Sequence, residues 1–154
     1  MRYSNWALLS GLLALSTACT SREPSEIQWR GQSFREVRTI KSLPLAIQSE
    51  LGVGRPGLEG IADRGGRFNE TDVVDGRFPR RRFAVAGLSS EEALVAVERG
   101  GYAYFVQVFL IPLASDNAKP KEIWTLPIDK PNSLKELVTT VSGVAPDTFH
   151  LDTP

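Results

Sequence analysis

The sequence predicts an α+β fold: a four-stranded antiparallel meander packed against two or three short helices. Two observations carry this. Four β-branched and aromatic runs follow one another with links too short for anything but antiparallel neighbours. Amphipathic helical segments with caps and stops flank that block on both sides.

Taken in order, Ile27–Ile40 has no clean period. Ile27 and Trp29 alternate as on a strand, whereas Phe34, Val37 and Ile40 recur as on a helix. Ser42–Leu51 reads as a short helix: Ser42 can cap, Pro44 suits the first turn, Leu43, Ile47 and Leu51 share a face, and Gly52 stops it. Gly52–Pro79 is a glycine-rich loop in which short elements can hide, for example at Thr71–Val74. Ordered loops of this length are commonly functional.

Strands follow at Arg82–Leu88, Ala93–Glu98 and Tyr102–Leu113, the last two joined by Arg99-Gly100-Gly101 as a tight hairpin requires. SSEEALVAV also suits a capped helix, but its valines and the following Gly-Gly favour a strand. Tyr102–Leu113 is apolar on both faces and is expected to be central. Glu122–Ile128 is a fourth strand, with Pro127 placing its end at an edge. Asn132 or Ser133 with Glu136 forms a capping box for a helix bearing Leu134, Leu137, Val138 and Val141, stopped by Gly143. A single domain over 27–143 and a polar tail over 144–154 result.

Composition restricts the chemistry. With 154 residues, 42% hydrophobic and 23% charged, the chain holds one globular domain. Equal numbers of basic and acidic side chains, 18 each, argue against a nucleic-acid partner. One Cys and one His exclude an internal disulfide and a zinc cage of thiolates and imidazoles within one chain, so no metal or cofactor is expected.

The amino terminus is the most specific segment. Arg2 precedes an uncharged stretch, Trp6–Ala18. As a helix it would span about 20 Å, shorter than the core of a bilayer at about 30 Å. That pattern fits a secretory signal peptide over 1–18. Leu15-Ser16-Thr17-Ala18-Cys19 resembles the lipobox of bacterial lipoproteins, although Ser16 stands where Leu, Val or Ile is commonest. The resemblance implies cleavage before Cys19 and attachment of acyl chains, palmitate among them, to that residue. It implies a membrane anchor too, since each buried methylene is worth about 0.8 kcal/mol. Thr20, rather than Asp, after the Cys implies sorting to the outer membrane, facing the periplasm. Cleavage removes Arg2, so acidic side chains then exceed basic ones by one, and 19–26 forms a polar tether. Beyond the lipobox, GLEGIADRGGRFNETDVV, PRRRFAVAG and VERGGYAYFVQVF resemble small uncharacterised lipoproteins of Gram-negative bacteria. That resemblance assigns no activity and transfers no catalytic residue.

Candidate chemistry is sparse. Gly52-Val53-Gly54-Arg55-Pro56-Gly57 matches GxGxxG but follows a helix, the wrong context for a dinucleotide site. His150 sits four residues from the carboxyl terminus, poorly placed for a rigid base. Glu59, Asp63, Glu70, Asp72 and Asp75 cluster in the long loop, nearly balanced by Arg64, Arg67, Arg77, Arg80, Arg81 and Arg82. The expected working surface is this loop, with Asp63, Arg64, Arg67, Asn69, Asp72, Arg80 and Arg81 as candidate binding residues and none as catalytic. The chain reads as a non-enzymatic binding or interaction module with a protein partner in the envelope. The alternative is a small envelope hydrolase using paired loop carboxylates.

Overall fold

The computed structural model describes residues 25–114, 118–126 and 130–147; the lipobox with Cys19, and His150, lie outside the described residues. The fold is α+β, and its sheet has six antiparallel strands in sequential order rather than four. The additional pair is the hairpin β1 (Glu26–Trp29) and β2 (Gln32–Val37). Strands β3 (Arg81–Leu88), β4 (Glu92–Arg99), β5 (Phe105–Pro112) and β6 (Glu122–Leu126) form the expected meander. The β1–β2 turn uses two residues with positive φ, Arg30 at 49° and Gly31 at 77°. Such a turn matches the twist of the flanking strands. Arg30 accepts this conformation while its guanidinium lies 4.5 Å from the Trp29 ring centroid and 2.5 Å from Glu122.

Each face of the sheet carries its own apolar cluster. On one face Phe34, Val85, Leu94, Ala96, Val108 and Trp124 meet Leu134, Leu137, Val138 and Val141 of helix α2 (Leu134–Ser142). On the other, Phe83, Ala86, Val95 and Val97 meet Ile40, Leu43 and the Ile47 and Leu51 side chains of helix α1 (Leu45–Leu51). Val53 and Ile61 of the long loop pack against the same cluster.

The α2 cap forms as the sequence indicates. Ser133 Oγ accepts from Glu136 N at 3.2 Å, and Glu136 Oε2 accepts from Asn132 N at 2.5 Å. Buried Glu36 of β2 docks the same helix, accepting from Leu134 N at 3.0 Å, where helix polarity favours a carboxylate. Helix α1 departs from expectation. Ser42 closes a 3-10 turn over Ile40–Ser42, and the helix starts after Pro44 without a side-chain cap. Gly52 ends it in the left-handed conformation.

The centre of the sheet also differs. Strand β4, not β5, is buried on both faces, because α1 covers β3 and β4 and leaves Phe105, Gln107 and Phe109 half-buried. In β3 a bulge at Ala84 lets Phe83 pair with Val97 and Val85 with Ala96. The bulge switches the parity of the strand, so Arg82 faces the α2 side together with Val85 and Gly87.

Residues before and after the core also join the sheet. Ser25 O accepts from Glu36 N at 3.0 Å, and Asp147 N donates to Ile123 O at 2.7 Å. Beneath α2, a Cβ on Gly87 would lie 2.6 Å from Leu134 Cδ1 and 3.2 Å from Phe34 Cβ, both residues fully buried. Gly87→Val is therefore expected to lower unfolding stability by about 1–3 kcal/mol. Urea denaturation checks this, and unchanged stability would contradict close packing of α2 on β3.

Candidate functional site

The long loop is ordered by its own polar side chains. Its residue Ala62 bridges to Arg82, with Ala62 N donating to Arg81 O and Phe83 N to Ala62 O, each at 2.9 Å. Asp63 then fastens the loop to the turn before α1. It accepts from Thr39 Oγ1 at 2.6 Å, Ile40 N at 2.9 Å and Arg64 N at 2.8 Å. Burial opposes ionisation of this carboxyl, but the three donors outweigh it and hold Asp63 below the ordinary aspartate value.

Asn69, only 5% exposed, closes the tip. Its Oδ1 accepts from Asp75 N at 2.7 Å, and its Nδ2 donates to Asp75 O at 2.9 Å and Phe78 O at 2.7 Å. Gly100 of the β4–β5 turn lies against it; a Cβ there would be 2.0 Å from Asn69 O. Only glycine allows so close an approach between the turn and the loop.

The remaining charged residues spread over separate surfaces. Arg77 pairs with Asp75 at 2.6 Å and, through those hydrogen bonds, holds that carboxyl down to about 2. Arg67 lies 4.4 Å from the Phe78 ring centroid, while Asp72 is exposed. Arg80, Arg81 and Arg82 part company. Arg80 is exposed, Arg81 turns to the α1 side and donates to Gly60 O at 3.2 Å and to Glu59 O, and Arg82 faces the α2 side.

A polar cleft of about 320 Å³ opens on the α2 side, lined by Glu70, Arg82, Glu98, Tyr104, Lys130 and Asn132. Its base is Glu98, 1% exposed. The bulge in β3 brings Arg82 directly across from it, and a bidentate pair forms. Arg82 Nε donates to Oε1 at 2.8 Å and Nη2 to Oε2 at 2.6 Å. Tyr104 donates to the same Oε2 at 3.0 Å. Burial, followed by the hydrogen bond and charge of Glu98, pushes the Tyr104 phenol up to about 12. Arg82 also stacks 4.2 Å from the Phe68 ring centroid. Arg64 reaches the cleft rim, donating to Asn132 O at 3.0 Å.

Glu70 and Arg82, noted for their charge in the sequence, line this cleft; of the candidate binding residues only Arg64 reaches it. Asp63 and Asn69 hold the loop, Arg81 belongs to the opposite face, and Arg67, Asp72 and Arg80 are presented outward. Sequence reasoning missed Glu98, Tyr104, Lys130 and Asn132. Glu98 had a legible signal: it shares strand parity with the core residues Leu94 and Ala96. Chemically the cleft is an acceptor site already supplied with donors. Both Glu98 oxygens are engaged, leaving Glu70, Lys130 and Asn132 as the polar groups available at its rim. Among the described residues no three metal-ligating side chains converge, and no helix is long and apolar enough to cross a membrane.

Two outcomes follow. Asn69→Ala should cost about 1–3 kcal/mol, because it strands buried backbone groups, and should speed proteolysis within 70–78; an intact, protected loop would contradict its role as the clasp. Ultraviolet titration should show a tyrosine ionising near 12 that Tyr104→Phe removes. Because the folded value lies above the unfolded one near 10, the stabilisation is complete below pH 10 and fades as the pH climbs to 12. A titration in which Tyr104→Phe removes no such step would refute the buried bond.

Neither a protein-family model nor any curated protein or solved structure matches the chain.

Proposed function

We propose that the chain is a lipid-anchored binding module of the bacterial envelope, held through Cys19 at the outer membrane and facing the periplasm. Its working surface is the end of the sheet where the long loop, the β4–β5 turn and the polar cleft adjoin. Its partner is another envelope protein, such as an assembly component or a secreted hydrolase that the module inhibits.

The observation that carries the binding part of this reading is a loop clasped by its own side chains, with an exposed apolar-and-arginine surface. Asp63 and Asn69 fix the loop from within, so little ordering entropy remains to be lost on binding. Val73 of the loop is 79% exposed, and Tyr102 of the adjoining turn is 88% exposed. Arg67, Arg77 and Arg80 are exposed on the loop and the segment that leads from it into β3. Exposed tyrosine with arginine is the composition that dominates protein–protein contacts.

The hydrolase alternative needs two free carboxylates facing each other. Glu70 and Glu98 share the cleft, but Arg82 and Tyr104 occupy Glu98. Asp63 and Asp75 are engaged inside the loop. These pairings favour binding over hydrolysis.

The anchor and the surface are tested separately. Mass spectrometry of the mature amino terminus should find an acylated Cys19, and Cys19→Ser should release the protein or leave its precursor uncleaved. A mature protein with a free thiol there would refute the anchor. A photo-crosslinker at Tyr102 in intact envelopes should capture one defined protein, and Arg80→Glu should weaken that capture at least tenfold. Indifference to Arg80→Glu would refute the surface.

A further inference from the structure

We propose a second binding site on the α1 side of the sheet, where Arg81 and Arg99 together receive a small organic monocarboxylate with a short apolar body. It does not depend on the protein-binding surface, because it uses the opposite face of β3 and β4.

The two arginines are direct cross-strand partners. Like charges placed opposite each other in a sheet are destabilising, and partial burial of both adds to the cost. No carboxylate pairs with either one among the described residues. Arg81 spends its donors on the carbonyls of Gly60 and Glu59, and Arg99 Nε donates to Gln107 Oε1 at 2.9 Å. The terminal nitrogens of Arg99 donate to no described residue. Burial holds both guanidiniums below the ordinary arginine value; Arg55 adds to the effect at Arg81, where Glu59 and Glu50 oppose it without pairing, and Arg81 adds to it at Arg99. An oxyanion between them would relieve the repulsion and accept charge-assisted hydrogen bonds.

The surroundings define the rest of the ligand. Arg81 and Arg99 line a pocket of about 110 Å³ whose apolar wall includes Val97, Phe109 and Ile111. At about 30 Å³ per water-sized group, that is room for a carboxylate and about two carbon atoms. Glu50, exposed on the last turn of α1, also lines the pocket and adds a negative charge. Its charge disfavours a dianion such as sulfate, and the apolar wall disfavours a small inorganic ion. Gly52 keeps the arrangement open, since a Cβ there would sit 2.7 Å from Arg81 Nη2.

The test is calorimetric titration of the full chain with propanoate at fixed ionic strength, with 1-propanol and sulfate as comparisons. The expected result is saturable binding of the carboxylate, at least tenfold weaker in Arg99→Gln, with no binding of the alcohol and no competition by sulfate. Absence of saturable binding to the wild type, equal binding by Arg99→Gln, or equal competition by sulfate would each overturn the proposal. Should Arg99→Gln fail to fold, amide shifts of the wild type decide. The carboxylate must move the signals of Val97, Arg99 and Ile111, and shifts confined elsewhere overturn the site.

Discussion

Burial of β4 on both faces, from Glu92 to Glu98, is the constraint from which the rest of the structure follows. The strand carries a carboxylate near each end, Glu92 and Glu98, and both are buried with it. A buried carboxylate without a partner is costly, so each end needs a cation. Lys121, just before β6, pairs with Glu92. Arg82 of β3 pairs with Glu98, and Tyr104 adds a third donor. Ion pairs thus pin β4 at opposite ends, to β3 at one and, across β5, to the segment before β6 at the other.

Arg82 reaches Glu98 only because of the bulge at Ala84. Without the extra residue, Arg82 could not share a face with Val85 and Gly87, since strand side chains alternate. The bulge therefore links core packing to the polar cleft. Alternation then separates the successive arginines: Arg80, before the strand, is exposed, Arg81 faces the α1 side and Arg82 the α2 side. One basic run serves an exposed surface, a like-charged pair and a buried ion pair, and the two sites end up on opposite faces of the same strands.

Much of the fold was legible locally. The meander and α2 were written in alternation, short links and a capping box, which are patterns of neighbouring residues. The first hairpin was obscured because Phe34 and Val37 serve clusters on opposite faces while Ile40 already belongs to the following turn, which mimics a helical spacing. Arg30-Gly31 was the missed sign, a two-residue turn whose first member tolerates positive φ through contacts with Trp29 and Glu122. In the loop, the density of polar residues was visible, but their roles were not. Asp63 and Asn69 looked like ligand contacts and are clasps. The partners that Asp63 ties to the loop lie 23 or 24 residues away, and those of Asn69 lie 6 to 10 away.

The sequence by itself determined the α+β class, the stops and caps of α2, the four strands of the meander and the narrow chemistry open to a chain with one Cys and one His. These depend on local periodicity and on counts. Only the tertiary structure decided the six-stranded sheet, the centrality of β4 and the pairing of Arg82 with Glu98. It alone joined Glu70, Tyr104, Lys130 and Asn132 in one cleft, and set Arg81 against Arg99. The size and centre of the sheet turn on the first hairpin and on where α1 packs, and the arginine pairings on register and on a single extra residue in β3, which exchanges the faces of a whole segment while leaving composition unchanged.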